Sequence, residues 1–235
     1  MELKGKIALV LGAVKGIGNG IGLALAKEGA ALILTRYDWE DSYEKMEMDF
    51  AKIGADHIIV ASDLRNVKEA YKIHDIIKKR YGRLDILINN IERGGWPVVH
   101  GKYTPDQWDL EIETTLKAKR YMFDAVYPLL KKSDNAVVIN VSSIAADVGR
   151  SGPAAAVFND GYAAANKGIS ILTETWARIG APNIRVNEIM LGIFKTRHAE
   201  ETRGWREAIS EEDKKALIDH ILLGRTGNIE DVVNA

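Results

Sequence analysis

The chain has 235 residues, of which 46% are hydrophobic and 28% charged, and its formal net charge is -1. This length and apolar content suit one buried core, and the near-neutral charge argues against nucleic acid or a membrane surface as a partner. The absence of cysteine excludes disulfides and thiolate ligands, and it fits a reducing compartment. We therefore expect one domain over residues 1–235, a cytoplasmic location and no bound metal.

Short apolar runs alternate with amphipathic segments along the chain. The predicted strands cover residues 7–11, 31–35, 57–61, 84–88, 136–141 and 184–189. The predicted helices cover residues 21–28, 39–53, 67–81, 107–131 and 163–179. Such alternation favours right-handed parallel crossovers. The sequence therefore predicts an α/β fold, a doubly wound parallel sheet of the Rossmann type.

A glycine-rich turn follows the first strand and leads into a helix. Gly12, Gly16 and Gly18 have the spacing G-x-x-x-G-x-G, with Lys15 and Ile17 between them. Glycines allow a tight turn and a close backbone approach, and a helix N-terminus presents unpaired N–H groups to a phosphate. A plain glycine turn is the alternative interpretation. The position between a strand and a helix nevertheless favours a dinucleotide site.

Charges near this turn bear on the choice of dinucleotide. In dinucleotide folds, an acidic residue after the second strand binds the ribose 2′-hydroxyl and would repel a 2′-phosphate. This position holds Arg36, and Lys15 lies in the glycine turn. Two cations can bind one phosphate through charge-assisted hydrogen bonds, so we expect NADP(H) in preference to NAD(H). Asp38 could still reach a ribose, which keeps NAD(H) as an alternative, and both cations could instead be solvated loop charges.

Further motifs follow the glycine turn in a fixed order. They are Asp63-Leu64, Leu87-Ile88-Asn89-Asn90, Val141-Ser142-Ser143, Lys167, Ile184-Arg185-Val186-Asn187 and Gly192-x-x-x-Thr196. With the glycine turn, their order and spacing resemble the short-chain dehydrogenase/reductase family over nearly the whole chain. Members that reduce 3-oxoacyl groups with NADPH are the most similar in pattern.

The resemblance implies a task for several residues around the cofactor. Asp63 and Leu64 would flank the adenine, and Asn90 would lie along the ribose side. Ile193 and Thr196 would hold the nicotinamide end. Each could also be an ordinary strand-end or loop residue. The family further implies a homo-oligomer, a dimer or tetramer, built through helices 107–131 and 163–179.

The resemblance also implies a catalytic group for carbonyl reduction. Tyr162 would give the proton, Lys167 would lower the pKa of that phenol and hold the nicotinamide ribose, and Ser143 would hold the carbonyl. This pairing is reasonable because an ammonium stabilises a phenolate. The implied function is NADP(H)-dependent reduction of a ketone or 3-oxoacyl-type carbonyl, with a small carbonyl compound or alcohol as substrate.

The chain departs from the family pattern at several positions. The family spaces its tyrosine and lysine four residues apart, whereas Tyr162 precedes Lys167 by five. On a regular helix this spacing leaves them roughly 140° apart, although a single π-bulge could bring them together. Thr115 stands where the family has the asparagine of a water relay, and Glu92 stands where glycine is usual. The last family strand, which would follow residues 224–227, is expected to be absent.

These departures leave two other functions open. The first is a dinucleotide-binding protein in which catalysis has lapsed. The second is a non-redox reaction, such as elimination or epimerisation, on the same scaffold.

Overall fold

A six-stranded parallel sheet forms the centre of the computed structural model, which describes residues 1–92, 104–194 and 210–235. The strands are β1 (Ile7–Val10), β2 (Ala31–Arg36), β3 (His57–Ala61), β4 (Ile86–Asn89), β5 (Ala136–Ser143) and β6 (Ile184–Leu191). Their order is β3-β2-β1-β4-β5-β6, and all neighbours pair in parallel. Every predicted strand forms, and the predicted α/β doubly wound fold is confirmed.

The described helices connect these strands and flank the sheet. They are α1 (Gly16–Lys27), α2 (Tyr43–Ile53), α3 (Val67–Arg80), α4 (Pro105–Glu111), α5 (Ala118–Leu130), α6 (Ala145–Val148), α7 (Asp160–Gly180), α8 (Glu211–Asp219) and α9 (Ile229–Val233). Short 3-10 turns occupy Glu40–Ser42 and Gly152–Ala156. The helix predicted over 107–131 is divided, because a π-helical segment at Ile112–Lys117 separates α4 from α5.

Two apolar cores form, one on each face of the sheet. Along β1, Leu9 belongs to the core under α3, α5 and α7, whereas Ala8 belongs to the core under α1 and α2. This alternation follows from the two-residue repeat of a strand. On the first face the rings of Phe123 and Trp176 stack with their centroids 4.2 Å apart. Both faces are therefore covered, as parallel sheets require.

Buried polar side chains fix the register near the carboxyl ends of the central strands. The Asn89 amide donates to Asn140 at 2.7 Å, and the Asn140 amide donates to the Thr173 hydroxyl at 2.8 Å. Asn159 caps α7 by accepting a hydrogen bond from the Tyr162 backbone N–H at 2.6 Å. Hydrogen-bonded polar groups of this kind stabilise a unique arrangement in a core. They link β4, β5 and α7 at the carboxyl ends of these strands.

Candidate active site

A pocket opens at the carboxyl edge of the sheet, which is the usual ligand side of an open α/β fold. Its walls come from the glycine turn (residues 12 and 14–17), the end of β2 (35 and 37–39), the turn after β3 (62–65) and the turn after β4 (90–92). Its remaining lining residues are Thr114, Ala118, Val141 and Leu191. The pocket therefore lies where the sequence predicts a dinucleotide.

The glycine turn packs tightly and opens at the start of α1. Gly12 and Gly16 have φ values of 67° and 62°, a region that favours glycine. A Cβ on Gly18 would lie only 2.2 Å from the Gly12 carbonyl oxygen, so Gly18 serves the packing of the turn. Helix α1 begins at Gly16, and the Lys15 side chain does not cap it. Its first N–H groups can therefore meet an anion, because first-turn N–H groups have no partner within the helix.

The pocket also contains a polar atom that calls for a ligand partner. The Thr114 hydroxyl lines the pocket, is buried and has no hydrogen-bond partner among the described residues. A buried hydroxyl without a partner is unfavourable. The Thr114 hydroxyl, the bend at Gly12 and the free N–H groups at the start of α1 together suit the binding of a dinucleotide.

Two aromatic residues and two cations form one end of the pocket. The Lys15 ammonium lies 4.2 Å from the centroid of the Trp39 ring. Trp39 has a φ of 70°, which is strained for a bulky residue. Arg65 donates to the Tyr37 hydroxyl at 3.2 Å, and all four residues line the pocket. Such strain is often found at ligand sites. Sequence reasoning missed Trp39, Tyr37 and Arg65, because nothing in their spacing distinguishes them from loop residues.

Asp63 and Leu64 lie on the pocket wall, as expected. The Arg65 guanidinium binds the Asp63 carboxylate through both oxygens, at 2.8 and 2.6 Å. These hydrogen bonds lower the pKa of Asp63. The Asp63 carboxylate is therefore held by Arg65 and is fixed in place beside the pocket.

Arg36 has a different position from the one expected. Its Nη1 lies 2.5 Å from the Glu47 carboxylate, and its guanidinium carbon lies 4.4 Å from the centroid of the Tyr43 ring. Arg36 is not among the pocket-lining residues, whereas Lys15 is. The structure thus brings one of the two predicted phosphate cations to the pocket and ties the other to α2.

Tyr162 and Ser143 meet near the end of β5. The Tyr162 hydroxyl donates to Glu92 Oε2 at 2.7 Å. Burial, followed by the charge of Glu92, raises the pKa of Tyr162, and a hydrogen bond with Ser143 opposes this shift. Ser143 is buried, and its hydroxyl accepts from the Ala145 backbone N–H at 3.2 Å. The phenol and the serine are therefore close enough to act on one substrate atom, with a carboxylate behind the phenol.

Lys167 does not join this group. Its ammonium lies 2.8 Å from the Asp147 carboxylate, and its side chain is 56% exposed. Helix α7 shows no π segment between Tyr162 and Lys167, so the five-residue spacing turns Lys167 away. Asn166 lies one turn after Tyr162: it is fully buried, its amide donates to the Tyr162 carbonyl at 2.9 Å, and its Oδ1 has no partner among the described residues.

Thr115 lies within the π-helical segment Ile112–Lys117. Its hydroxyl donates to the buried Glu111 carboxylate at 2.7 Å. Segments of this type are often found at functional sites. The π-bulge that could have brought Tyr162 and Lys167 together is absent from α7, and a π segment lies instead at the threonine that stands where the family has asparagine.

Two charged residues near the end of β5, the buried Lys119 and the partly buried Glu188, were missed by the sequence reasoning. Lys119 is 1% exposed, and its ammonium donates to the Val141 carbonyl at 2.6 Å. Burial lowers the pKa of Lys119 to about 8, and the charges of Glu92, Glu188 and Glu111 oppose this shift. Glu188 of β6 accepts from the Ser170 hydroxyl at 2.9 Å. Neither position could be recognised from the sequence, since charged side chains are ordinarily exposed.

The remaining predicted cofactor residues have mixed positions. Asn90 lines the pocket, and its amide lies 3.4 Å from the Gly12 carbonyl oxygen, which it donates to. Ile193 is buried against Phe158, beside the reacting end. Thr196 lies outside the described residues.

Metal sites and membrane spans were also sought in the described part of the chain. Within residues 1–92, 104–194 and 210–235, no group of three or more acidic, histidine or cysteine residues could hold a metal ion. None of the helices in the same ranges is long and apolar enough to cross a membrane.

Comparison with known proteins gives consistent matches. The family model for short chain dehydrogenase matches residues 6–207. The chain is 31% identical to a 3-oxoacyl-[acyl-carrier-protein] reductase, FabG, of Thermotoga maritima, over 99% of this chain and 89% of that protein. It is 30% identical to a 1,6-dihydroxycyclohexa-2,4-diene-1-carboxylate dehydrogenase of Acinetobacter baylyi, over 98% and 87%.

Solved structures share the fold. An active-site complex of Pseudomonas aeruginosa RhlG with NADP has a TM-score of 0.83 at 24% identity, covering 99% of this chain and 88% of that one. A dehydrogenase/reductase of Sinorhizobium meliloti has a TM-score of 0.82 at 23% identity, covering 99% and 86%.

Proposed function

The chain belongs to the short-chain dehydrogenase/reductase family of oxidoreductases, and from this premise we propose that it reduces a ketone or 3-oxoacyl-type carbonyl with NADP(H). The observation that carries the proposal is the hydrogen bond from the Tyr162 hydroxyl, which lies close to Ser143, to Glu92 in the wall of the pocket that begins at the glycine turn. The 3-oxoacyl class is supported by the similarity to the 3-oxoacyl-[acyl-carrier-protein] reductase of Thermotoga maritima.

The preference for NADP(H) rests on the cations at the aromatic end of the pocket. Lys15 and Arg65 both line this end, and a 2′-phosphate would attract both. Asp38 also lines it and would favour an unphosphorylated ribose. Arg36 would add to phosphate binding only if it left Glu47. The charges therefore favour NADP(H), with NAD(H) as the alternative that the test below resolves.

The chemistry at the other end follows from the groups present. A bound reduced nicotinamide would supply a hydride to the carbonyl carbon. Ser143 would donate a hydrogen bond to the carbonyl oxygen, and Tyr162 would give it a proton. Proton transfer leaves a phenolate at Tyr162, next to the Glu92 carboxylate. The substrate leaves as an alcohol.

The protein would act in the cytoplasm as a homo-oligomer. The outer surfaces of α4 and α7 carry apolar side chains that a second copy could cover: Ile171 and Ile179 are 56% and 52% exposed, and Trp108 is 40% exposed. Large apolar side chains on adjacent surfaces are typical of protein interfaces. We propose these helices as the dimer contact.

A second candidate function is dinucleotide binding without turnover. It is favoured by two observations: the Tyr162 hydroxyl donates a hydrogen bond to Glu92, and α7 places the neutral Asn166 one turn later. A carboxylate beside a phenol makes ionisation of the phenol less favourable. In this alternative the pocket binds the dinucleotide and Tyr162 keeps its proton.

Binding and turnover measured on the same samples separate the two functions. NADPH and NADH affinities are measured by fluorescence, and turnover is measured with a panel of ketones and 3-oxoacyl thioesters. We expect tighter NADPH binding and consumption of NADPH with at least one carbonyl. Tyr162→Phe should bind NADPH normally and lose turnover, whereas Tyr71→Phe, an exposed tyrosine on α3, should behave as the parent protein. Binding without turnover over the whole panel would favour the second function.

A further inference from the structure

Lys119 is a buried cation to which the proton transfer described above gives no task. Its side chain is 1% exposed and its ammonium donates to the Val141 carbonyl at 2.6 Å. Val141 lines the pocket and lies two residues before Ser143 on β5. The charge is therefore held directly behind the reacting end of the site.

A buried lysine at this place needs a reason. Removing an ammonium from water is strongly unfavourable unless other charges or dipoles compensate it. Its neighbours in the chain and on the same helix, Ala118 and Met122, are buried apolar residues. An apolar residue at 119 would extend that surface without the cost of a buried charge.

Three carboxylates face Lys119 from three other elements. Glu92 follows β4, Glu188 lies in β6 and Glu111 ends α4, and each acts electrostatically on Lys119, with Glu92 the strongest. Glu92 in turn accepts the hydrogen bond of the Tyr162 hydroxyl at 2.7 Å. The positive charge of Lys119 therefore acts on the carboxylate that holds the phenol.

Helix α7 supplies no such cation at its own tyrosine. The residue one turn after Tyr162 is the neutral Asn166, and Lys167 forms its ion pair with Asp147 at a position where both side chains are more than half exposed. A phenolate formed at Tyr162 would therefore meet the negative charge of Glu92 without a cation from α7. A nearby cation would offset these charges and favour the proton transfer at neutral pH.

We propose that Lys119 is a positioning residue of this active site: its buried ammonium balances the charge of the Glu92 carboxylate, which positions the Tyr162 phenol beside the pocket. The inference rests on the proposed carbonyl reduction. When Tyr162 passes its proton to the substrate oxygen, one negative charge is added beside Glu92, and the charge of Lys119 offsets it. A proton from solvent then restores the phenol, so that Lys119 and Glu92 leave the cycle unchanged.

The first test needs no turnover. The titration of Lys119 is followed by NMR of its ¹³Cε resonance, which is assigned as the one missing in Lys119→Met. In Glu92→Gln the loss of the facing negative charge should lower the pKa of Lys119 and raise its acid dissociation constant about tenfold. Glu174→Gln, on the exposed side of α7, is the matched control and should leave the titration unchanged. An unchanged titration in Glu92→Gln would overturn the proposal.

The second test measures kcat/KM for carbonyl reduction against pH. The parent protein should lose activity above the pKa of Lys119, which is about 8, until it reaches the level of Lys119→Met. Lys119→Arg keeps its charge to high pH, so its activity should persist beyond that range. Lys119→Met should be at least about tenfold less active at neutral pH and should lack this decline. Lys117→Met, two residues away and exposed, should follow the parent.

The two tests distinguish failure of this inference from failure of the proposed function. If no carbonyl compound is reduced, the proposed function is refuted. The Lys119 titration would still decide whether Lys119 and Glu92 are coupled. An alkaline decline that is identical in the parent, Lys119→Arg and Lys119→Met would contradict the inference while leaving the carbonyl reduction in place.

Discussion

Replacing Lys119 by methionine should stabilise the folded protein at neutral pH. The ordinary pKa of lysine is 10.5 and the buried environment lowers that of Lys119 to about 8. A shift of one pKa unit corresponds to about 1.4 kcal/mol, so the charged Lys119 costs about 3 kcal/mol of folding free energy. Methionine has a similar length and no charge. It forgoes the hydrogen bond to Val141, which subtracts about 1 kcal/mol, so the net gain is about 2 kcal/mol at pH 7.

The sign of this effect depends on pH. Below the folded-state pKa, about 8, Lys119 is charged in both states and the full cost is present. Between this value and the unfolded-state value of 10.5, the unfolded chain binds more protons, so the parent protein gains stability relative to the variant as pH rises. Above both values only the lost hydrogen bond remains, and the variant should be less stable by about 1 kcal/mol.

Urea denaturation of Lys119→Met, Lys117→Met and the parent at neutral and alkaline pH measures these differences. The exposed control Lys117→Met should follow the parent at both pH values. If Lys119→Met is less stable than the parent at pH 7, or if its difference from the parent does not change sign with pH, the assigned burial cost is wrong. If Lys119→Met is more stable than the parent, this result would also agree with retention of Lys119 for function.

Three further predictions concern other residues around the pocket. Trp39→Gly should raise the dinucleotide dissociation constant, read by fluorescence, without lowering Tm, because glycine adopts the left-handed φ of 70° without strain; a drop in Tm would refute this. Arg65→Gln should lose less stability than the parent as pH falls below about 4, because the pKa of Asp63, which Arg65 lowers, would return toward its ordinary value; equal acid unfolding curves would contradict it. Asn166→Lys should raise the rate of carbonyl reduction about tenfold by stabilising the Tyr162 phenolate, whereas Asn166→Leu should not; no gain in the lysine variant would show that its ammonium does not reach the phenol.

The fold could be predicted well because it depends on patterns of local sequence. Buried parallel strands show as apolar runs, and the strand at residues 57–61 was predicted with the bounds it has in the structure. Helix ends were less accurate. Helix α1 begins at Gly16, five residues before the predicted start, because its glycines weaken the apolar helical pattern while leaving the helix possible.

The site could be predicted only where the chain position itself fixes a residue. Gly12, Asp63 and Asn90 lie at the carboxyl ends of strands, so parallel pairing brings them to the pocket. Lys167 and Arg36 could not be placed in this way, since their side chains follow ion pairs with Asp147 and Glu47 that no local pattern reveals.

The sequence also did not reveal the group formed by Lys119 and the carboxylates of Glu92, Glu111 and Glu188. Their proximity depends on α4, α5, β6 and the turn after β4 packing together, and contacts between distant segments leave no periodic signal in one sequence.

The most direct test of the account follows the hydride itself. NADPH carrying deuterium at the reactive carbon of its nicotinamide is incubated with the protein and a 3-oxoacyl thioester, and the alcohol product is analysed by mass spectrometry. We predict one deuterium on the former carbonyl carbon with the parent protein and none above background with Tyr162→Phe. Tight NADPH binding with no labelled alcohol from the parent protein, or equal labelling by Tyr162→Phe, would contradict the assignment of this pocket as a carbonyl-reducing active site.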